Sequence, residues 1–474
     1  MSAGFPRRGA MRSWPINNVA TVDNGGVNRA TLRHLGWSSV VAFATYGAGA
    51  GVTYLAQLVI ARSVGPESYG VYSYVLAWVT ILGYLAALGF DVSLLRLVPA
   101  YRTQGMPHLA HGAIRYAERR SAAMGLGIVL CGLGTVALAG GRQSPELMMT
   151  FLIGFAVVPI LALLWIRASI VRAFGGVLSA LAPDRLVRDS LLLLFIGCLT
   201  FGGWAHISAP TVMTATLISA LVGLMLVTWA RRRWWLLPKD GLPPAYAVCE
   251  WRRTAVPLVA IAVAEAAINR TGVMALGLTG HTADAGVYAL IFNVTSIVVL
   301  PRIAVNTRFA PMVSEFFARR DQAGLQDLIT KAAIWTLVGA VCVALPLSFL
   351  AEPVLAWFGP SFQAAVVPMR VLLLSQVIAA SAGSQIFLMT MTGQERSAAI
   401  VVVLAALGNF GLTVPLIHLF GTTGAAIANA ITLLVWNVAM ATVIQRKLGA
   451  VPGILAIFKG RRATAKRRDV AGIV

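Results

Sequence analysis

Acidic residues are scarce in this chain: 17 Asp and Glu stand against 38 Lys and Arg, and charged residues make up only 12% of 474 positions. So few charges cannot cover the surface of soluble domains of that total length, so a water-soluble protein is excluded. Cysteine is equally sparse. Cys131, Cys198 and Cys342 fall in apolar runs and Cys249 in a basic stretch, where they read as small buried hydrophobes or free thiols, not as a disulfide framework. No glycine-rich loop ends in Lys-Ser or Lys-Thr, and no histidines are paired at metal-ligand spacing. No insertion is large enough to hold a catalytic domain. No cofactor or metal is therefore expected, and the chain is not read as an enzyme.

What the chain has in quantity is hydrocarbon. Hydrophobic residues make up 58% of it, in repeated runs of about 20, the length an α-helix needs to cross a core of roughly 30 Å. The runs are continuous and do not alternate in polarity, which argues against a β-barrel. Spans are expected near 38–61, 69–90, 113–140, 147–166, 190–205 and 210–230, then near 254–277, 285–307, 331–351, 366–391, 398–419 and 422–444. The fold class is an all-α polytopic membrane protein of about twelve helices.

The net charge of +21 could suggest a nucleic-acid partner, but its placement does not. Arg and Lys concentrate in alternate loops and both termini; only Arg62 and Arg142 lie on the other side, and Arg270 and Arg370 lie within spans. That asymmetry places both termini in the cytoplasm. The expected organisation is a basic N-terminal tail (1–36), a first lobe (37–230), a basic proline-containing linker (231–253), a second lobe (254–446) and a basic C-terminal tail (447–474).

The two lobes resemble each other. An ungapped offset of 216 residues carries Gly70-Val71-Tyr72 onto Gly286-Val287-Tyr288, and in both places a polar turn, an apolar span and a basic loop follow one another. An even number of spans per half makes the halves parallel repeats about an axis along the membrane normal, with a central cavity between them.

Several stretches carry a resemblance: Val64-Gly65-Pro66-Glu67-Ser68-Tyr69-Gly70-Val71-Tyr72, Leu88-Gly89-Phe90-Asp91, Ala285-Gly286-Val287-Tyr288, Phe358-Gly359-Pro360-Ser361-Phe362 and Gly421-Thr422-Thr423-Gly424-Ala425-Ala426. In this order, from about residue 38 to 446, the chain resembles the polysaccharide biosynthesis or oligosaccharide flippase family. That family belongs to the multidrug/oligosaccharidyl-lipid/polysaccharide exporter superfamily. The resemblance implies a flippase for a polyprenyl-pyrophosphate-linked oligosaccharide in the bacterial inner membrane. Its partners would be that lipid-linked glycan, membrane lipids, and a glycan polymerase and glycosyltransferases of the same pathway, with no nucleic acid. The alternatives are a multidrug or small-molecule exporter of the superfamily and a membrane-embedded glycan polymerase or ligase. The last is disfavoured by short outer loops without arginine.

Ionisable groups inside a span are expensive and mark candidate sites. Arg270, deep in span seven, is the sharpest candidate for the pyrophosphate; the alternative is a structural pairing with Glu265 or an outward reach. Glu265 is the first candidate for ion coupling, or else a charge partner for an arginine of the other lobe. Arg62, Arg302 and Arg370 lie near span ends, where a long side chain can also snorkel to the interface. Gln57, Asn269 and Asn293 are candidate sugar contacts. Asn409 and Asn429 belong to a wider polar set suited equally to interhelical hydrogen bonds.

Overall fold

The computed structural model describes residues 29–139, 144–202, 207–235, 243–454 and 456. Most of the N-terminal tail, the C-terminal tail beyond 456, the middle of the linker and the turn holding Arg142 lie outside the described residues. Those described form α-helices in this order: α1 (Arg29–Ala87), α2 (Phe90–Thr103), α3 (Pro107–Ala139), α4 (Pro145–Ala173), α5 (Val177–Ala182), α6 (Arg188–Phe201) and α7 (Ala209–Trp234). There follow α8 (Val248–Leu278), α9 (Thr282–Thr295), α10 (Leu300–Ala318), α11 (Gln322–Phe349), α12 (Ala351–Ala356), α13 (Val366–Ser381), α14 (Gln385–Met391) and α15 (Glu395–Leu448).

Among the described residues nine helical stretches are long and apolar enough to cross a membrane. Two of them hold two crossings each. α1 breaks at Gly65, whose φ of 76° suits glycine, and Pro66 bars the preceding residue from helical geometry. α15 breaks at Gly421, with φ 56°, and folds back so tightly that a methyl carbon at Gly424 would lie 1.9 Å from the Leu416 carbonyl oxygen. Counting the two broken helices as two each gives eleven, and the helical segment 177–201 overlaps the place expected for the fifth span.

That fifth crossing begins earlier than the hydropathy suggests. A π-helical turn, Pro183–Val187, joins α5 to α6 and carries Asp184 and Arg185. The charges that made it look like a loop neutralise one another inside the helix: Arg188 donates to Asp184 at 2.8 Å and to Asp189 at 3.0 Å. The linker also differs from expectation. α8 starts at Val248, and Trp251 is fully buried against the first half, its indole N–H donating to the Tyr101 hydroxyl at 2.9 Å. A buried indole with its polar edge satisfied anchors the start of the second half.

The repeat becomes physical where the halves meet. A methyl carbon at Gly70 would lie 1.7 Å from the Thr282 carbonyl oxygen, and one at Gly286 would lie 2.6 Å from the Pro66 carbonyl oxygen. Thr282 stands to Pro66 as Gly286 stands to Gly70, both pairs 216 positions apart, so each half offers the other the same contact. Reciprocity of this kind is what a two-fold axis produces. Only glycine lets the two backbones approach so closely.

Burial follows the same division. One core draws on both halves at the arginine-poor end, including Ile60, Tyr69, Leu276, Ala285, Leu355, Phe358 and Phe362. Towards the arginine-rich end there are two smaller cores. Ile261, Phe309, Leu325, Leu388, Val402 and Met440 form one, and Phe90, Leu94, Ile114 and Ile170 form the other, joined there by Trp251 and Ala255 of α8. Here α2 still meets α8: a methyl carbon at Gly89 would lie 2.4 Å from the Ala255 carbonyl oxygen. The four cysteines are free but exposed, not buried: on an apolar outer face a thiol needs no protein partner.

Candidate functional site

α1 packs against the α5–α6 segment, α8 and α10, and the central cleft expected between the halves is placed where these elements meet. From α1 come three tyrosines. Tyr69 donates to the Gln57 Oε1 at 2.6 Å, Tyr72 shares a hydrogen bond of 3.1 Å with Thr216, and Tyr84 stacks on Trp165 with ring centroids 4.5 Å apart. The spacing of Tyr69 and Tyr72 on one helix sets the rings on neighbouring faces, 6.4 Å apart.

Arg270 of α8 lies within electrostatic range of Tyr69, Tyr72 and Tyr84. Among the described residues it makes no ion pair, so the expected pairing with Glu265 is absent. Five positions on a helix rotate by about 140° beyond a full turn, and the two side chains diverge. Glu265 instead shares a field with Arg302 at the start of α10. That arginine belongs to the same half as Glu265, which corrects the expectation of a partner across the cleft. Arg302 reaches this place because a 3-10 turn, Ser296–Val299, re-aims the chain just before Pro301 opens α10. Glu265, Arg270 and Arg302 lie deep among helices yet keep partial accessibility, as groups lining a cavity do.

On the facing side, the Arg188 pairs are completed by Thr53 of α1, which donates to Asp189. Arg188 lies within electrostatic range of Tyr72, and Arg185 and Asp184 within range of Tyr84. By the same reach Asp91 also acts on Tyr84, so the cleft sets four arginines, 185, 188, 270 and 302, against four carboxylates, Asp91, Asp184, Asp189 and Glu265. Arg270 is the one of these arginines that no carboxylate reaches among the described residues.

Of the residues singled out in the sequence, Gln57, Glu265, Arg270, Asn293 and Arg302 come together; Asn293 lies beside the Tyr69 hydroxyl. Asn269 is exposed, about 100° round the helix from Arg270. Arg62 is exposed near the Gly65 turn. Arg370 is also exposed, sits 3.8 Å from Glu352 and donates to the Ser348 carbonyl, outside the cleft. Asn409 and Asn429 both donate to the Ile268 carbonyl, at 3.2 and 3.4 Å, and tie α15 to α8. In the sequence Tyr69 and Tyr72 stand only as part of a motif, not as site residues, and neither Tyr84 nor the Arg188 cluster is singled out. The i,i+4 spacing of Asp184 and Arg188 just before a short span was the available signal. No group of three or more His, Cys, Asp or Glu able to hold a metal occurs among the described residues.

The arrangement can be set beside known proteins. The profile of the family described as polysaccharide biosynthesis protein matches residues 32–317. No curated protein matches the chain. Solved structures similar in fold include an inward-facing multidrug resistance MATE family transporter of the MOP superfamily, 14% identical, covering 87% of this chain and 98% of that one, with TM-score 0.67. An outward-facing transporter of the same description is 15% identical, covers 87% and 95%, and has TM-score 0.65. A MOP superfamily transporter from Pyrococcus furiosus, described as having a binding pocket of reverse polarity that suggests a different function, is 15% identical, covers 87% and 95%, and has TM-score 0.64. With more than half of its length matched by the family profile and nearly all of each compared transporter superposed on it, this multi-pass membrane chain belongs to the polysaccharide biosynthesis protein family and has the MOP superfamily fold.

Proposed function

We propose that this protein flips a polyprenyl-pyrophosphate-linked oligosaccharide, a repeat unit of O-antigen, capsule or exopolysaccharide. It carries the molecule from the cytoplasmic to the outer leaflet of a bacterial inner membrane by alternating access, making and breaking no bond. The observation that carries this reading is Arg270: a cation inside a membrane domain, without an acidic partner among the described residues and within electrostatic range of three tyrosines. Such a charge is expensive unless an anion visits it. A pyrophosphate supplies that anion, and the partly exposed Tyr84 and Asn293 suit the sugars beside it, while Tyr69, Tyr72 and Gln57 are buried. The large shared core lies at the arginine-poor end, and the approach to the cleft is assigned to the opposite side, which the arginines mark as cytoplasmic.

A second reading, export of a small cationic compound, draws on the carboxylates in the same cleft and on the multidrug transporters that share the fold. Two of those carboxylates are already engaged by Arg188, and Glu265 shares its field with Arg302. The binding pocket of reverse polarity described for the Pyrococcus furiosus transporter is a precedent for other cargo on this fold.

The test is a deletion strain. Lipid-linked glycan should accumulate facing the cytoplasm, wild type should restore its export, and Arg270→Ala should not. Unchanged surface glycan together with new drug sensitivity would transfer the assignment to the exporter reading.

A further inference from the structure

A second basic site lies outside the cleft. Arg167 of α4 donates to Glu118 of α3 at 3.1 Å and to the Thr228 hydroxyl of α7 at 2.6 Å, and Arg231 of α7 pairs with the same Glu118 oxygen. One carboxylate thus serves two guanidinium groups. Arg232, one residue further, makes no ion pair among the described residues, so three cations stand against a single anion. These charges crown a groove of about 340 Å³ lined by Arg167, Leu221, Leu224, Met225, Thr228, Trp229 and Arg232. Below the arginines its wall is hydrocarbon and faces outward: Met225 is 67% and Trp229 62% exposed. Trp229 marks the depth of the membrane interface, where an amphipathic ring belongs.

We propose that this groove binds an acidic phospholipid of the arginine-rich leaflet, with its phosphate between Arg167 and Arg232 and an acyl chain along Leu221, Leu224 and Met225. Charge complementarity names the occupant. Two uncompensated cations at the boundary of a low-dielectric region attract an anion strongly, and the apolar trough beneath them admits a chain that a soluble anion lacks. Thr228 serves as a spacer, holding the Arg167 guanidinium in place while leaving part of its fork free. The site is independent of the cargo assigned to the cleft.

The full-length protein, purified into micelles containing equal phosphatidylglycerol and phosphatidylcholine, should retain the acidic lipid at least fivefold over the zwitterionic one by native mass spectrometry. Arg232→Gln, which leaves the Glu118 pairs intact, should cut that preference two- to threefold without moving the melting temperature. Leu224→Trp, which keeps every charge but fills the trough, should reduce retention of both lipids. Equal retention of the two lipids by wild type overturns the proposal, as does an Arg232→Gln protein that retains lipid like wild type. Preferential displacement of phosphatidylglycerol by a polyprenyl pyrophosphate would overturn the assignment to a bilayer lipid.

Discussion

The seam at Gly70 and Gly286 and the cleft behind it obey opposite rules. At the seam the halves are interchangeable: backbone meets backbone, and each side presents the other with the contact it receives. In the cleft nothing is mirrored. The first half holds its charges in a closed set of Arg188, Asp184, Asp189 and Thr53, while the second leaves Arg270 unpaired and binds its helices together with neutral amides at Ile268. Symmetry is kept where the halves must fit and lost in the cleft, where the proposed function places cargo recognition.

The contrast can be broken most severely at the seam. Gly70→Val should prevent stable assembly of the halves, because its side chain would overlap the Thr282 carbonyl. Overpacking of this kind costs roughly 1–3 kcal/mol or more, read as a lost or strongly lowered melting transition. Gly286→Val should do the same in milder form, and Gly47→Val, with nothing within 4 Å, should do neither.

In the cleft, two arginines should respond in opposite ways to the same change. Arg188→Met leaves Asp184 with Arg185 alone and Asp189 with Thr53 alone and should lower stability by about 1–3 kcal/mol, less than for a fully buried pair because its side chain is 23% exposed. Arg270→Met removes an uncompensated cation and should leave the melting temperature unchanged or raised while abolishing transport; Arg270→Lys should keep a fraction of it. If both variants were equally destabilised, the distinction between a closed and an open charge set would fail.

Smaller effects sharpen the picture. Asn409→Leu should cost about 1 kcal/mol, the worth of an interhelical amide bond, with transport reduced no more than stability explains. Arg62→Gln and Arg370→Gln should change thermal stability and transport little, since an exposed pair such as Arg370 with Glu352 contributes a few tenths of a kcal/mol.

The spans were legible because a run of about 20 apolar residues has few alternatives, and Gly65-Pro66 announced a break that the backbone shows. Arg270 was legible for the same reason: a lone charge in hydrocarbon stands out. Arg188 was not, because a cation beside two carboxylates reads as a solvated loop until the chain folds and the charges cancel. Tyr69 and Tyr72 were read as a turn motif, since a ring on an apolar helix gives no sign of which neighbour its hydroxyl will meet. The place of Arg302 depended on the 3-10 turn before it, which no periodicity reveals.

A two-fold contact usually joins two copies of one chain, and then every substitution arrives twice. Here the twins are covalently joined, and the position 216 residues before Arg270 is Tyr54, an aromatic ring packed on Phe358. Fusion thus permits a solitary guanidinium in one half, where a dimer of identical subunits would have to install two.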